Sequence, residues 1–107
     1  MVQVITPLRQ CERELADFPK VIREDLADVL ARLEEGHMLS MPLSRPMPSI
    51  GKGVHELRFR DRSGIYRVIY VIIKSGVIYL LHAFKKTTME TPLHNMEVAK
   101  KRLKEVI

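Results

Sequence analysis

Apolar residues recur at helical spacing in the first part of the chain. Thr6 followed by Pro7 is a helix-start pattern, because Thr can cap free backbone N–H groups and Pro has the φ angle of a first turn. A first helix is therefore predicted from this point to Phe18. Its apolar face comprises Leu8, Cys11, Leu15 and Phe18, at spacings of three, four and three residues.

A second helix is predicted to follow at once. Pro19 disfavours the helical region for Phe18 but fits the first position of a new helix, and Gly36 is a typical stop. The apolar stripe between them comprises Ile22, Leu26, Val29, Leu30 and Leu33. Two helices joined this closely predict an αα-hairpin that packs as one unit.

The hydrophobic period changes to two after Gly53. Leu57 and Phe59 alternate with polar residues, which predicts a strand. A turn at residues 61–64, a strand over residues 65–74, a tight turn at Ser75-Gly76 and a strand over residues 77–85 complete an antiparallel meander. Residues 2–5 give a weaker signal for one more strand. The sheet is therefore expected to have three to four strands.

Residues 37–53 lack periodicity and contain three prolines, so they are interpreted as a loop. The loop carries Met38, Met41 and Met47, which either pack against the core, the favoured interpretation, or form an adaptable surface for a partner. Thr91-Pro92 repeats the helix-start pattern before a last helix. The apolar face of that helix comprises Met96, Ala99, Leu103 and Val106, and its other face carries Lys100, Lys101, Arg102 and Lys104. The pattern predicts a single α+β domain over residues 1–107.

Composition narrows the function classes. The longest apolar run, residues 68–73, is far shorter than the ~20 residues that a membrane-spanning helix needs. The N-terminus lacks the basic start and apolar run of a secretory signal, so we expect a cytoplasmic protein. Cys11 is the single cysteine and the four histidines are scattered, so we expect neither a disulfide nor a metal or other cofactor. The net charge of +5 favours nucleic acid or an acidic partner.

Hairpin geometry predicts a cluster of side chains on one face of the sheet. A two-residue loop at Arg62-Ser63 sets Arg58 opposite Arg67, and opposed like charges weaken a sheet unless an anion lies beside them. A two-residue loop at Ser75-Gly76 sets His82 opposite Ile69 and Phe84 opposite Arg67. The set of Arg58, Arg67, His82 and Phe84 depends on this register, because a slip of one residue would scatter it.

This set suits RNA cleavage by attack of the 2′-hydroxyl on the adjacent phosphate. Arg58 and Arg67 can clamp the phosphate, because a guanidinium matches its geometry in a bidentate way. His82 has an unperturbed pKa, ~6.5, that suits proton transfer near neutral pH. Lys85 and Lys86 can hold the backbone or donate the proton. The predicted catalytic residues are Arg58, Arg67, His82 and Lys85, and the predicted RNA-binding residues are Arg60, Tyr66, Phe84, Lys86, Lys100 and Lys101.

Each of these residues also has a structural interpretation. Arg58 and Arg67 can form surface ion pairs with Glu56 and Asp61, and a histidine in an apolar strand is more often a hydrogen-bonded structural residue than a catalyst. The lysine pair at residues 85–86 can protect a strand end from edge pairing. Residues 100–104 can be a solvated helix face.

Several segments together resemble the phage-derived, HigB-like branch of the RelE/ParE toxin superfamily. They are Gly53-Val54-His55-Glu56-Leu57-Arg58, Tyr66-Arg67-Val68, Leu81-His82-Ala83-Phe84-Lys85-Lys86-Thr87, Thr91-Pro92 and Ala99-Lys100-Lys101-Arg102. The similarity covers nearly the whole chain, including the leading helical pair and Met41-Pro42-Leu43.

The resemblance implies a RelE-like fold and the toxin of a type II toxin–antitoxin system, silenced by an antitoxin with a helix-turn-helix domain. It also implies a metal-independent endoribonuclease that cuts messenger RNA on the ribosome. Arg58, Arg67, Lys85 and Lys86 match the motif positions. No general base is carried over, so His82 depends on its local chemistry alone. The ParE side of the superfamily shares the fold but poisons DNA gyrase, which is the alternative function. Codon preference and oligomeric state do not follow from the sequence.

Overall fold

The computed structural model describes residues 3–73, 76–86 and 91–107. Its helices are α1 (Arg9–Ala16), α2 (Lys20–Glu34) and α3 (Leu93–Leu103), and its strands are β1 (Val4–Pro7), β2 (Ser44–Pro46), β3 (Val54–Asp61), β4 (Gly64–Ile73) and β5 (Val77–Lys86). The five strands form one sheet in the order β1-β5-β4-β3-β2. Neighbouring strands are antiparallel, except that β1 runs parallel to β5. The sheet is therefore larger than predicted and mixed.

The N-terminal segment is a strand where the sequence predicted the start of a helix. The backbone of β1 pairs with residues 77–80, and the Leu8 N–H donates to the Leu80 carbonyl at 3.0 Å. Helix α1 begins only at Arg9 and has no side-chain cap. The predicted cap at Thr6 was wrong because Thr6 and Pro7 end an edge strand, where the missing N–H of proline is tolerated. The strand predicted at residues 2–5 is displaced towards Pro7, and Val2 lies outside the described residues.

Helices α1 and α2 cover one face of the sheet. Helix α1 lies mainly against β5, and α2 lies against β3 and β1. The helices bury Cys11, Ile22, Leu26, Val29 and Leu33 against a sheet surface that includes Leu57, Val68, Tyr70, Ile78 and Leu80. Gly36 follows α2 with φ 89°, a left-handed conformation that costs glycine little. The predicted helical pair on a sheet is confirmed.

Helix α3 covers part of the other face. Ala99 and Leu103 of α3 are buried against Ile69, Val71 and Leu81 of the sheet. The central strand β4 is therefore buried on both faces, which explains why its apolar residues form a continuous run instead of an alternation. None of the helices in the described ranges has the length and apolar character needed to cross a membrane.

The predicted loop at residues 37–53 contains a short strand. Ser44 pairs with Leu57 and Pro46 with His55, so β2 forms the edge next to β3. The interpretation as a loop was wrong for these three residues, because proline can occupy an edge strand without breaking a ladder bond. Met47 is buried as the favoured packing interpretation requires, whereas Met38 and Met41 are 77% and 53% exposed.

The register of β3, β4 and β5 pairs the residues as predicted, but the turn between β4 and β5 differs from the predicted one. Arg58 lies opposite Arg67, Phe84 opposite Arg67, and His82 opposite Ile69, as expected. The end of the β4–β5 hairpin pairs Ile73 with Val77, so three residues separate the strands instead of two. A bulge that leaves Leu81 without a partner restores the predicted register. Ser75, the predicted turn residue, lies outside the described residues.

Candidate functional site

Five cations share the α3 face of the sheet. Because cross-strand partners point to the same face, the pairs Arg45–Glu56 and Arg58–Arg67 place these four side chains together. Arg60 lies two residues beyond Arg58 on β3, and Lys86 lies two residues beyond Phe84 on β5. We define the cationic cluster as Arg45, Arg58, Arg60, Arg67 and Lys86. Glu56 contributes a carboxylate to the same face of β3.

Arg67 is anchored at the centre of the cluster by Glu56. The Arg67 Nε and Glu56 Oε1 atoms lie 3.2 Å apart, and the two side chains are 5% and 1% exposed. The Nε–H is not aligned for a hydrogen bond to any acceptor among the described residues. Burial lowers the pKa of Arg67, the Glu56 carboxylate raises it, and the Arg58 and Arg60 guanidinium groups lower it further. The pair is therefore an enclosed charge pair with imperfect geometry, not the surface ion pair that the sequence allowed.

Thr91 holds the other oxygen of the same carboxylate. Its Oγ1 donates to Glu56 Oε2 at 2.5 Å. The predicted cap function of Thr91 was wrong, because α3 starts after Pro92 without a side-chain cap. The hydroxyl instead ties the segment before α3 to the cationic cluster. Glu56 thus accepts from Thr91 and pairs with Arg67 at the same time.

Lys86 lies on the cluster side and Lys85 on the other side of β5. Lys86 is 4% exposed, and this burial lowers the pKa of its ammonium group. The positive charges of Arg67, Arg58 and Arg45 lower this pKa as well, whereas the Glu56 carboxylate raises it. Lys85 is exposed, and its Nζ lies 5.9 Å from the centroid of the Tyr66 ring. Of this lysine pair, Lys86 is the one on the same face as Arg58 and Arg67.

Tyr66 and Phe84 are both predicted base-stacking residues, but they lie on opposite faces. Tyr66 is 4% exposed, packs edge-on against Phe18 at 4.9 Å between ring centroids, and belongs to the core beneath α1 and α2. Phe84 is opposite Arg67, 8% exposed, and stacks on the His82 ring at 4.9 Å between centroids. Only Phe84 is therefore part of the surface around the cationic cluster.

His82 is held by hydrogen bonds at both ring nitrogens. Nδ1 donates to Glu14 Oε1 at 2.9 Å, and Asn95 Nδ2 donates to Nε2 at 2.8 Å. The side chain is 7% exposed. This geometry matches the structural interpretation of His82, in which the ring orients its neighbours, better than a free general base.

The same network joins α1, β5 and α3. Arg102 donates to both carboxylate oxygens of Glu14, at 2.7 and 3.1 Å, and to the carbonyl of the bulged Leu81 at 2.9 Å. Burial raises the pKa of Glu14, but hydrogen bonds from His82, Arg102 and the Ala83 N–H outweigh it and hold this pKa at about 2. Burial and the nearby Glu14 carboxylate raise the pKa of Cys11 to about 12, so its thiol is inert. We call Glu14, His82, Asn95 and Arg102 the Glu14 network.

Lys100 and Lys101 lie apart from the cationic cluster. Both border a groove between α3 and the hairpin end of β4, where Ile72 and Ile73 are located. Arg58 and Arg60 border a different pocket, beside Pro42 and Leu43. Among the described residues, no group of His, Cys, Asp and Glu side chains is arranged to hold a metal ion.

Comparison with known protein families decides the relationship that the sequence suggested. The family model described as "Phage derived protein Gp49-like" matches residues 13–104, which include most of the fold and all of the cationic cluster. The chain belongs to this family. A search of the curated proteins found no matching relative.

Solved structures show the fold of this family member. A free mutant of the E. coli toxin RelE shares 17% identity with a TM-score of 0.69, and each chain is covered completely. The isolated E. coli RelE toxin shares 19% identity with a TM-score of 0.59, over 98% of this chain and 99% of that one. A chain of the RelBE2 toxin–antitoxin complex of Mycobacterium tuberculosis shares 15% identity with a TM-score of 0.59, over 80% of this chain and 100% of that one. These structures confirm the RelE-like fold, the family model confirms the phage-derived family, and the HigB-like branch stays a prediction.

The sequence interpretation missed three members of the site. The alternation that placed Arg58 on one face of β3 also places Glu56 there, so this carboxylate could have been included. Arg45 could not have been included, because β2 has only three residues and shows no alternation of apolar and polar residues. Thr91 was assigned to a helix cap because Thr-Pro is such a common helix start.

Proposed function

We propose that this Gp49-like protein is the toxin of a type II toxin–antitoxin system and cuts messenger RNA on the ribosome without a metal ion. The observation that carries the proposal is the cationic cluster around the buried Arg67–Glu56 pair. A buried guanidinium with a misaligned partner is costly for stability, and such costs are typical of functional sites. The single domain of residues 1–107 is expected to act in the cytoplasm.

In the proposed reaction the 2′-hydroxyl gives its proton to solvent water and attacks the adjacent phosphorus. A 2′,3′-cyclic phosphate forms as the bond between phosphorus and the 5′-oxygen breaks. Arg58, which is half-buried beside the pocket at Pro42, contacts a phosphate oxygen directly. Arg67 stabilises the negative charge that develops on the phosphate, with Glu56 fixing its guanidinium. Lys86 donates a proton to the leaving oxygen, since its lowered pKa favours that transfer.

Other surfaces complete the proposed RNA contacts. Arg45 and Arg60 extend the positive charge along the strand edge and can follow the phosphate backbone. Phe84 lies opposite Arg67 and can contact an unpaired base there. His82 acts on the site through the bulge in β5, because the Glu14 network holds the strand that carries Phe84 and Lys86.

The proposed partner is an antitoxin protein. The toxin in the M. tuberculosis complex is crystallised with its antitoxin, and this chain has the fold of such toxins. A basic surface also favours a partner with acidic character. We expect an antitoxin with a helix-turn-helix domain.

The proposal is tested by primer extension on a defined message in a reconstituted translation mixture, with and without ribosomes. We expect new 5′ ends that require ribosomes, and Arg58→Ala is expected to lose about 10²-fold or more in cleavage rate. Arg13→Ala removes the same charge from an exposed position on α1 and is the matched control. An intact message at saturating folded protein would refute the endonuclease proposal.

Arg67 needs a second variant, because Arg67→Ala leaves the carboxylate of Glu56 buried without its cation. Arg67→Ala combined with Glu56→Gln removes both charges and separates folding from catalysis. We expect this double variant to fold and to lose cleavage. A folded double variant with normal cleavage would exclude Arg67 from the reaction.

The same assay distinguishes the ParE-like alternative. The exposed Met38 and Met41 give the loop before β2 an apolar surface that could contact a protein target such as gyrase. Gyrase inhibition predicts DNA-damage signalling with intact message.

A further inference from the structure

One concave surface on the described part of the chain is separate from the cationic cluster. It is a groove of about 880 Å³ between α3, the start of β3 and the end of β4. Gly53 at the groove is five residues along β3 from Arg58, which is roughly 16 Å at ~3.3 Å per residue. The chemistry proposed above therefore does not use this surface.

The floor of the groove is apolar. Ile72 and Ile73 are only half-buried, and the side chain of Ile107 is 77% exposed at the edge of the same groove. Aliphatic side chains that converge in one groove favour burial by a partner, because water is released when they are covered. They offer no aromatic ring on which a base could stack.

The rim of the groove is basic. Lys52 comes from the loop before β3. Lys100, Lys101 and Lys104 come from the end of α3 and the residue after it, and Glu97 of α3 lies beside them in the lining. Lys52 and Lys104 are exposed. Cations on both walls around an apolar floor complement a segment with a hydrophobic stripe flanked by carboxylates.

The shape of the groove is set by close backbone contacts. A Cβ at Gly51 would lie 2.5 Å from Leu103 Cδ2, so the end of α3 packs directly against the loop before β3. Gly53 has φ +77°, and a Cβ there would lie 2.9 Å from the Ile72 carbonyl oxygen. Such a surface is already formed in the free protein, which reduces the entropy cost of binding.

We infer that this groove binds an acidic, amphipathic segment of a protein partner, with apolar side chains of the segment on the isoleucines and its carboxylates on the lysine rim. The inference rests on the proposed function only for the identity of that partner, which is the antitoxin. It assigns Lys100 and Lys101 to protein binding, whereas the sequence predicted that they bind RNA. An RNA strand would use the lysines and leave the apolar floor uncovered.

The test measures fluorescence anisotropy of a labelled, designed acidic amphipathic helical peptide with the full chain, in the absence of RNA and ribosomes. A scrambled peptide of the same composition and a single-stranded RNA of the same net charge serve as the other probes. We expect binding of the amphipathic peptide that weakens with salt, and at least about tenfold weaker binding of both other probes at this surface.

Charge reversal on both walls locates the site. Lys52→Glu with Lys104→Glu is expected to weaken peptide binding about tenfold or more, while Arg13→Glu with Lys20→Glu, the same charge change on the α1–α2 layer, is expected to leave it unchanged. Ile72→Glu is expected to abolish binding by placing a charge on the floor, and circular dichroism checks that it folds.

Three outcomes would overturn the inference. They are equal binding of the scrambled peptide, RNA binding that the groove reversal weakens as strongly as peptide binding, and concentration-dependent dimers that the reversal removes. Because the assay contains no message, a failure of cleavage in the primer-extension experiment would leave a positive peptide result standing. Loss of the peptide result would likewise leave the cleavage proposal intact.

Discussion

The Glu14 network makes stability depend on pH in a defined range. The pKa of Glu14 is about 2 in the folded protein and 4.5 in its ordinary state. At about 1.4 kcal/mol for each pH unit, that difference corresponds to about 3.5 kcal/mol of stability at neutral pH. The side chain is 26% exposed, so solvent screening reduces the expected contribution to about 2 kcal/mol.

The lowered pKa of Glu14 determines whether stability rises or falls with pH. A carboxyl group with a lower pKa in the folded state contributes its full stability above the unfolded value, and the contribution is lost as the pH falls through the folded value. For Glu14 the loss is expected between pH 4.5 and pH 2. Above pH 4.5, the contribution of Glu14 to the free energy of unfolding should not change with pH.

The perturbation is Glu14→Gln, which keeps the size of the side chain and removes its charge. We expect urea unfolding followed by circular dichroism to show a loss of about 2 kcal/mol at pH 7. The difference between wild type and variant should then shrink as the pH is lowered from 4.5 towards 2. Glu12→Gln, on an exposed position of the same helix, is the matched control and should change stability by less than about 0.5 kcal/mol.

A constant difference between the two proteins from pH 7 to pH 2.5 would contradict this account, because the variant has no group that titrates at this position. It would mean that Gln destabilises the fold by altering hydrogen-bond geometry alone. The charge pairing of Glu14 with Arg102 would then contribute nothing measurable.

Three further substitutions test the layers of the fold by equilibrium unfolding. Leu57→Ala, at a fully buried position beneath the helical pair, is expected to cost about 2–5 kcal/mol, and a fully stable protein would mean that the two sheet faces have been exchanged. Gly53→Ala should cost more than about 1 kcal/mol, because φ is +77° and the new Cβ approaches the Ile72 carbonyl, and an unchanged midpoint would show that this turn relaxes freely. Tyr70→Phe removes the 2.7 Å hydrogen bond to Ser44 and should cost about 1 kcal/mol, whereas a stabilised variant would count against that bond.

Most of the fold could be predicted because its elements have strong local signals. Three such signals are the apolar stripe in α2, the alternation in β3 and the two-residue turn after Asp61. Each of them depends mainly on residues that are close together in the sequence. The strand β1 was misplaced because Thr6 and Pro7 satisfy the helix-start pattern equally well. Its pairing with β5 joins segments about seventy residues apart, and no local rule reports such a contact.

The candidate site could be predicted only in part. Register arguments placed Arg58, Arg67 and Phe84 together. The first pairing follows from the two-residue turn between β3 and β4. The second was predicted from a two-residue turn that the structure does not have, and the bulge in β5 restores the same register. The function of His82 could not be judged from β5 alone, because its partners Glu14 and Asn95 come from two helices at distant positions in the sequence. Partners of this kind decide whether a histidine is free to exchange protons.

The bulge at Leu81 changes which residues of β5 face each side of the sheet. Before it, Ile78 and Leu80 point towards the helical pair, and after it the even-numbered His82 and Phe84 point towards α3. One extra residue thus reverses the alternation along the strand. Tyr79 before the bulge and Phe84 after it both pack on the α3 side, and Leu80 and Ala83 both pack beneath the helical pair. Since Arg102 of α3 donates to the Leu81 carbonyl, α3 holds the backbone at the point where the register changes, next to His82 and the strand segment that carries Phe84 to its place opposite Arg67.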